Sequence, residues 1–386
     1  MDIRKRIDVF WPYLHAIPEP AFREIKTSAF VAEVLRKAGY EVQEKVGGTT
    51  GVVGVLDSGR PGPVAAVRSD MDCLLFKQED GTEKAVHACG HDGHMTTVLT
   101  VAEWLASEEL PCGKVKIIFQ PAEEIGKGAL AMIDAGAVDD VDYLFGLHVM
   151  PEDMARAGEI IPQISWTACT LIEAEVRGRA AHGSQPHLGI NAIDVGAAIV
   201  NAVNALHSDP LLGGNVKTTR FQGGSGSLNA ICDKVDLGFD LRSTSNAEML
   251  ELRRKVRDLI ANTAKVYGAE ADSHIVGTCP AAEADEALLP LTQDVIVRVL
   301  GQKALLPVKS ITVGEDFNFF KQEDGTEKAV HACGHDGHMT TVLTVAEWLA
   351  SEELPCGKVK ILLQPAEEIG KGALAMIDAG AADDVN

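Results

Sequence analysis

The sequence lacks three features that would each assign the protein to a class. It has no apolar run of the roughly 18 or more residues that a transmembrane helix needs. Its 8 cysteines in 386 residues are too few to indicate a disulfide-rich scaffold. Asp8, His15 and Glu19 interrupt the N-terminal segment that a signal peptide would need to be apolar. We therefore predict a cytoplasmic protein without a membrane span.

Positive charge is also scarce. Lys and Arg number 35 against 56 Asp and Glu, which gives a formal net charge of -21. The resulting field repels the phosphate backbone of nucleic acids and the surface of anionic membranes. We therefore predict neither a nucleic-acid partner nor a membrane partner. The acidic balance remains compatible with a bound metal cation.

The chain is long enough for two domains, because a typical domain has about 100–200 residues and this chain has 386. In the N-terminal part, short apolar strands alternate with helices, which is typical of an α/β domain with a mostly parallel sheet. A smaller strand–helix–strand–helix pattern begins at about Thr167. The prediction is a first domain of residues 1–166 and 287–386, with an inserted α/β domain of residues 167–286.

Apolar periodicity places the individual elements of both domains. In the first domain it predicts helices 2–16, 23–39, Thr96–Leu105 and Ala129–Ala135, and strands Val52–Leu56, Val64–Val67, Val115–Phe119 and Tyr143–Val149. In the inserted domain it predicts strands Ala168–Val176 and Val235–Leu241, and helices Ile190–Leu206 and Ala247–Tyr267.

One long segment occurs twice. Residues 77–142 and 321–386 match with an offset of 244, and only 4 of the 66 pairs differ. The differing pairs are Ile118/Leu362, Phe119/Leu363, Val138/Ala382 and Asp142/Asn386. Two distant copies do not form a solenoid, whose repeats are short and adjacent. Near-identity argues against an old duplication. We favour a recent recombination or an error of sequence assembly over a selected feature of the protein.

The segment from His87 to His94 has the richest chemistry, with three imidazoles, a thiol and a carboxylate. Thiolate and imidazole are ligands that zinc prefers. Cys89 and His91 are two residues apart, so in extended backbone both would point to one side. We predict that these two bind metal. His87 and His94 could equally cap a helix or make polar contacts.

Two further candidates follow predicted strands. Glu123 and Glu124 come directly after an apolar strand, where α/β sheets place ligands. Adjacent side chains diverge, so one carboxylate could bind metal while the other takes a proton from a bound water. The alternative is a solvated acidic loop. His148, at the end of the strand Tyr143–Val149, is either a third ligand element or an ordinary core histidine.

Together these motifs resemble the co-catalytic metallo-amidohydrolases that include hippurate hydrolase, indole-acetyl-amino-acid hydrolase and aminobenzoyl-glutamate hydrolase, within the aminoacylase and carboxypeptidase group. The resemblance extends to about Phe320. It is carried by the stretches 15–19, 68–72, 87–94, 120–124, 146–148, 178–182 and 314–317 and by Asn229 after a glycine-rich stretch. It implies a zinc-exopeptidase-like catalytic domain with an inserted lid that forms a homodimer.

The resemblance also implies roles for single residues. Cys89, His91, Glu124 and His148 would bind two divalent ions, zinc or manganese, with cobalt or nickel as further options. Glu123 would be the general base that activates a metal-bridging water for attack on the amide of an N-acyl or N-aroyl amino acid or a small peptide.

Three lid residues have weaker assignments by the same resemblance. His182 would stabilise the oxyanion, reaching across from the partner protomer, and Asn229 would bind substrate. Arg242 would pair with a substrate carboxylate. Without these roles, His182 would be a polar loop residue, Asn229 a turn residue and Arg242 a surface charge.

The chain departs from the family pattern at its C-terminal end. The family has a last metal-ligand histidine after the stretch that matches Gly314–Phe317, and here the copy occupies that position. The copy brings Cys333, His335, Glu367 and Glu368 but no counterpart of His148. One alternative is therefore an impaired or catalytically dead scaffold of the same fold. Another is a replacement ligand from His335 or His338. A cysteine-nucleophile enzyme built on Cys89 would leave the paired glutamates unexplained.

Overall fold

A computed structural model describes residues 3–78, 80–209, 212–282 and 289–320. The second copy of the repeat lies outside the described residues, and with it Cys333, His335, His338, Glu367 and Glu368. In the described part of the chain, no helix has both the length and the apolar character needed to cross a bilayer.

The described residues form two compact units. The first consists of residues 3–164, 289–309 and 319–320, and the second of residues 165–282 and 310–318. The second unit therefore includes residues 310–318, which sequence reasoning placed in the first domain.

The first unit is built from helices and strands in alternation. Its elements, in chain order, are α1 (Ile3–His15), α2 (Ile25–Ala38), β1 (Glu41–Val46), β2 (Gly51–Asp57), β3 (Val64–Asp70), β4 (Leu74–Lys77), β5 (Glu83–Val86), α3 (His91–Ser107), β6 (Lys114–Gln120), α4 (Gly128–Asp134) and β7 (Tyr143–Gly146). Helix α2 ends where Gly39, at φ 97°, donates its N–H to the carbonyl of Arg36.

The main sheet of this unit is mixed, with strand order β1-β2-β6-β3-β7. Strands β6, β3 and β7 run parallel, so their carboxyl ends lie at one edge. Strands β1 and β2 are an antiparallel hairpin, and β2 pairs antiparallel with β6. The α/β class is confirmed, and the parallel arrangement is found in the three strands that lead into the candidate site residues.

Helices α1, α2 and α3 supply the core together with the sheet. Fully buried members of this core are Leu14, Val31, Leu35, Met95, Leu99, Ile117 and Phe119. Burying one such side chain contributes about 1.5–3 kcal/mol. The core therefore fixes α3, the helix that begins at His91, against the strands whose ends carry the other candidate residues.

Two elements of the first unit differ from the sequence prediction in ways that affect the site. Helix α3 begins at His91 rather than Thr96, because Gly90 at φ 82° turns the chain directly into it. Cys89 and His91 are therefore not a pair in extended backbone, and that expectation was wrong. Strand β7 ends at Gly146, so His148 lies after the strand and not within it.

The second unit is a four-stranded antiparallel sheet with two helices. After β8 (Ile164–Trp166) come β9 (Ala168–Arg177), α5 (Ala192–Asn204), β10 (Asn215–Gly223), β11 (Lys234–Ser243), α6 (Asn246–Val266) and β12 (Glu270–Cys279). The strand order is β10-β11-β9-β12. Alternate residues of β9 are buried, and its apolar face packs with both helices around Ile172, Phe239 and Ile260.

Two further elements follow the second unit's sheet in the chain. These are α7 (Leu289–Leu300) and β13 (Lys309–Ile311). Strand β13 pairs with β8 as a separate two-stranded sheet, and β4 pairs with β5 as another.

Candidate metal centre

Polar side chains gather at the carboxyl ends of the parallel strands, the edge where open α/β sheets bind ligands. Asp70 ends β3 and Asp72 follows it, while Glu123 and Glu124 follow β6. His148 follows β7. The start of α3 brings the segment with Cys89 and His91 to the same edge, where His91 Nε2 lies 3.9 Å from a carboxylate oxygen of each glutamate.

Cys89, His91 and Glu124 converge. One ligand atom from each, the thiol sulfur, an imidazole nitrogen and a carboxylate oxygen, lie within 4.8 Å of one another. His91 Nε2 is 3.9 Å from Glu124 Oε1, and both atoms are buried without a hydrogen-bond partner among the described residues. Because buried polar atoms are rarely left without partners, and because thiol, imidazole and carboxylate are zinc ligands, this donor set fits a divalent cation.

The charges around His91 favour a positive charge at this point. Burial alone would lower its pKa, but Asp70 and Asp72 raise the pKa of His91 to about 10. His91 Nδ1 donates to the backbone carbonyl of Asp72 at 2.9 Å, which leaves Nε2 directed at the cluster. A proton or a metal ion at Nε2 satisfies the same surrounding carboxylates.

Cys89 is a thiol rather than a thiolate in the absence of a cation. Burial, followed by its hydrogen bond with Glu124, raises the pKa of the Cys89 thiol well above its ordinary value. A reactive nucleophilic cysteine needs a lowered pKa. The cysteine-nucleophile alternative is therefore disfavoured, whereas a bound metal would deprotonate the thiol directly.

Glu123 and Glu124 were expected to diverge, but both carboxylates reach the same imidazole. Glu123 Oε2 lies 3.9 Å from His91 Nε2, the same distance as Glu124 Oε1. The reason is the tight turn of Glu123–Ile125, which follows Ala122 at φ 55°. Both side chains remain partly accessible.

Sequence reasoning missed the buried acids that hold this turn. The carboxylate of Asp72 accepts the backbone N–H groups of Glu123 and Glu124, each at 3.1 Å. The carboxylate of Glu24 accepts the N–H of Ala122 at 2.9 Å. The charged Arg68–Asp72 stretch, directly after the strand predicted at Val64–Val67, was the available signal for Asp72.

His94 is engaged in hydrogen bonds and not poised for metal. With Asp70 and His91 it forms a second buried group of ligand-type atoms within 4.8 Å. However, its Nδ1 is 2.7 Å from Asp70 Oδ1, and its Nε2 accepts the N–H of Val149 at 2.9 Å. Because both ring nitrogens are committed, His94 has no lone pair left for a cation, and the polar-contact alternative describes it.

His148 borders the cluster. Its ring centroid lies 6.2 Å from that of His91 and 4.7 Å from that of His94. Its Nδ1 is 2.6 Å from the carbonyl oxygen of Val149. His148 is not among the groups of ligand atoms found within 4.8 Å in the described residues.

In the second unit, the structure brings His182 and Asn229 together. The N–H of Gly183 donates to the carbonyl of Asn229 at 2.6 Å, and His182 forms a β-bridge with Ala230. Both residues are exposed. The two candidates therefore lie in neighbouring backbone segments. The side chain of His182 also contacts its own loop, because its Nδ1 is 2.8 Å from the hydroxyl of Ser184.

Arg242 is half-buried on β11 and already has a carboxylate partner. Its Nε and Nη2 donate to the two oxygens of Asp240 at 2.8 and 3.2 Å. This fork-to-fork geometry is strong. A substrate carboxylate at Arg242 would therefore share the guanidinium with Asp240.

Comparisons with known proteins identify the family of the chain. The model of Peptidase family M20/M25/M40 matches residues 66–326 and, separately, residues 321–386. The chain is 30% identical to hippurate hydrolase of Campylobacter jejuni over 332 residues, covering 83% of this chain and 86% of that protein. It is 30% identical to thermostable carboxypeptidase 2 of Saccharolobus solfataricus over 356 residues, covering 84% of this chain and 87% of that protein.

A solved structure shows the same fold. The crystal structure of the YXEP protein of Bacillus subtilis, described as a dinuclear metal binding peptidase from the M20 family, superposes with a TM-score of 0.71 at 23% identity. The match covers 90% of this chain and 99% of that one. From the family model and the two relatives, the chain belongs to peptidase family M20/M25/M40 and is a metallopeptidase-like amidohydrolase.

Proposed function

We propose that this protein hydrolyses the amide bond of N-acyl or N-aroyl amino acids or small peptides at a centre of two divalent ions. The proposed ligands are Cys89, His91, Glu124 and His148. The observation that carries the proposal is the convergence of thiol, imidazole and carboxylate within 4.8 Å. It is strengthened by the two buried atoms, His91 Nε2 and Glu124 Oε1, that have no hydrogen-bond partner among the described residues.

The substrate class follows from what the relatives are named for. Hippurate is an N-aroyl amino acid, and a carboxypeptidase cleaves beside a free carboxylate. Both reactions break an amide bond close to a carboxylate group. Arg242 is the cation that we propose for this carboxylate, in competition with Asp240.

Glu123 is the proposed general base. Bound divalent ions would polarise the amide carbonyl and lower the pKa of water toward roughly 7. Glu123 takes a proton from the water as its oxygen bonds to the carbonyl carbon. Glu123 then passes this proton to the nitrogen as the C–N bond breaks, which gives an amine and a carboxylic acid that ionises by releasing its remaining proton. The bond from its N–H to Asp72 Oδ1 fixes the backbone from which this side chain extends.

The second unit completes the proposal. We propose a homodimer in which His182 stabilises the oxyanion from the partner protomer, while Asn229 binds substrate. Among the candidate metals, the thiol ligand favours zinc over manganese, because soft ligands select soft ions.

The test uses the duplicated segment as a matched control. Glu123→Gln should retain the metal content measured by elemental analysis while lowering kcat for hippurate by about 100- to 10,000-fold, the usual contribution of a general base. Glu367→Gln, the equivalent substitution in the copy, should leave kcat within a few-fold of the unsubstituted protein. Equal activity of Glu123→Gln and the unsubstituted protein would overturn the assignment.

A second candidate is a scaffold of the same fold without activity. It is favoured by the copy that stands where the family's last histidine ligand is expected. It predicts zero or one ion per chain and no turnover at any metal supplement. Elemental analysis therefore separates the two candidates, since the hydrolase predicts close to two ions per chain.

A further inference from the structure

A buried chain of hydrogen bonds runs from β3 to the loop after β7. Arg68 is 1% exposed, and its guanidinium donates to Asp70 Oδ2 at 2.8 Å and to Gln120 Oε1 at 2.9 Å. A buried guanidinium requires such partners, because an unpaired buried charge is very unfavourable. The other oxygen of Asp70, Oδ1, lies 2.7 Å from His94 Nδ1.

These partners determine the tautomer of His94. The carboxylate of Asp70 accepts from the Arg68 guanidinium through one oxygen and faces His94 Nδ1 with the other, so His94 Nδ1 carries the hydrogen. The backbone N–H of Val149 can only donate, so His94 Nε2 accepts it at 2.9 Å. The imidazole is therefore neutral, with its orientation set from both ends.

The last hydrogen bond of this series, to Val149, lies in the loop that carries His148. The carbonyl of Val149 accepts from His148 Nδ1 at 2.6 Å, which places the hydrogen of that ring on Nδ1. The side chain of Val149 packs against Gly90, where an added Cβ would lie only 2.5 Å from Val149 Cγ2. Gly90 separates Cys89 from His91. Val149 therefore contacts both the segment of the proposed ligands and the imidazole of His94.

We propose that His94 is a positioning residue, which holds the backbone of Val149 and thereby keeps His148 beside the cluster of Cys89, His91 and Glu124. The inference rests on the proposed function, in which His148 is a ligand. It goes beyond that function by assigning a task to a histidine that is not itself a ligand. Outer partners of this kind typically change metal affinity by about 10- to 100-fold.

Two substitutions separate the two hydrogen bonds of His94. In His94→Asn the amide nitrogen stands near the place of Nδ1, so it can donate to Asp70 but offers nothing to Val149. In His94→Gln the amide oxygen reaches near the place of Nε2, so it can accept the N–H of Val149. The same pair of variants at His338, the counterpart of His94 in the copy, provides the control.

Zinc affinity, measured by chelator competition, is the first readout. We expect His94→Asn to weaken zinc binding by about 10- to 100-fold and His94→Gln to remain within a few-fold of the unsubstituted protein. Equal affinities of the two variants at unchanged thermal midpoints would overturn the proposal. If the unsubstituted protein binds zinc but cleaves no amide, the proposed function fails while this comparison still decides the role of His94.

A second measurement, of the protonated nitrogen of His94, uses the unsubstituted protein. In protein labelled with 15N-histidine, the nitrogen shifts of His94 should identify Nδ1 as protonated and Nε2 as an unprotonated acceptor. A hydrogen on Nε2 would exclude the bond from Val149 and overturn the proposal.

Discussion

Asp72 offers a sharp test of how the candidate site is held together. Its carboxylate is fully buried and accepts the N–H groups of Glu123 and Glu124, each at 3.1 Å. Its Oδ1 also lies 3.4 Å from His91 Nδ1. The side chain of Asp72 thus fixes the turn that carries both glutamates. It also lies beside His91, the imidazole that these glutamates face.

The expected loss of stability follows from these two hydrogen bonds. A hydrogen bond to a charged group contributes about 1.5–3 kcal/mol, so Asp72→Ala should lower the free energy of unfolding by about 3–6 kcal/mol. Asp72→Asn keeps one carbonyl acceptor and should lose about half of that, roughly 1.5–3 kcal/mol. The alanine variant also leaves two backbone donors without their acceptor.

Urea unfolding of metal-free protein, followed by circular dichroism, measures both losses. Asp57→Asn is the matched control, because Asp57 is exposed and the loss of its solvated ion pair with Lys114 should change the stability little. If Asp72→Ala lost no more stability than Asp57→Asn, the carboxylate would not be holding the turn. Equal losses for Asp72→Ala and Asp72→Asn would show that the free energy of unfolding does not depend on how many N–H groups residue 72 accepts.

Three further outcomes are expected. Burial raises the pKa of Glu24 above its ordinary 4.5, so the folded protein loses stability as the pH rises through that raised value. Glu24→Gln removes the ionisable group but keeps an acceptor for the N–H of Ala122. Denaturant unfolding should therefore show that this substitution is stabilising at pH 7 but not at pH 4. Cys89→Ser should reduce bound zinc per chain in elemental analysis, whereas Cys333→Ser should not, and equal reductions would contradict the assignment of Cys89. Leu99→Ala, at a fully buried position, should lower the free energy of unfolding by about 2–5 kcal/mol, and a loss below 1 kcal/mol would contradict its place in the core.

The residues that sequence reasoning found are those whose chemistry is unusual for their position. Cys89 and His91 stand in a glycine-rich segment with two more imidazoles, and Glu124 follows an apolar strand. Such residue types indicate a functional site from the local sequence alone. The structure brings these three together because α3 begins at His91 and β6 ends at Gln120. The end of β6 lies one residue from the predicted one, whereas α3 begins five residues before its predicted start.

The residues that sequence reasoning missed act through partners far away in the chain. Asp72 and Glu24 accept N–H groups that are 51, 52 and 98 positions away. No local pattern encodes such a pairing, since it depends on how β3, α2 and the turn after β6 pack. Glu24, which precedes an amphipathic helix, reads as an ordinary surface acid although it is fully buried.

Two of the strands that sequence reasoning missed, β10 and β12, share a different cause. Strand β10 lies at the edge of its sheet, and most of its residues are exposed, so its sequence has no apolar alternation. Strand β12 occupies the other edge and also carries many exposed residues. Periodicity reports burial, and edge strands with solvated faces bury too little to produce it.

Three carboxylates surround one imidazole nitrogen of the candidate site, which favours a cation there. His91 Nε2 has carboxylate oxygens of Asp70, Glu123 and Glu124 at 3.8–3.9 Å. Arg68 forms an ion pair with Asp70, and the carboxylates of Glu123 and Glu124 face the same imidazole nitrogen. Carboxylates crowded in a buried place raise each other's pKa unless positive charge is supplied. A proton on His91 supplies one charge, and a divalent ion supplies two at the point where the thiol, imidazole and carboxylate already meet.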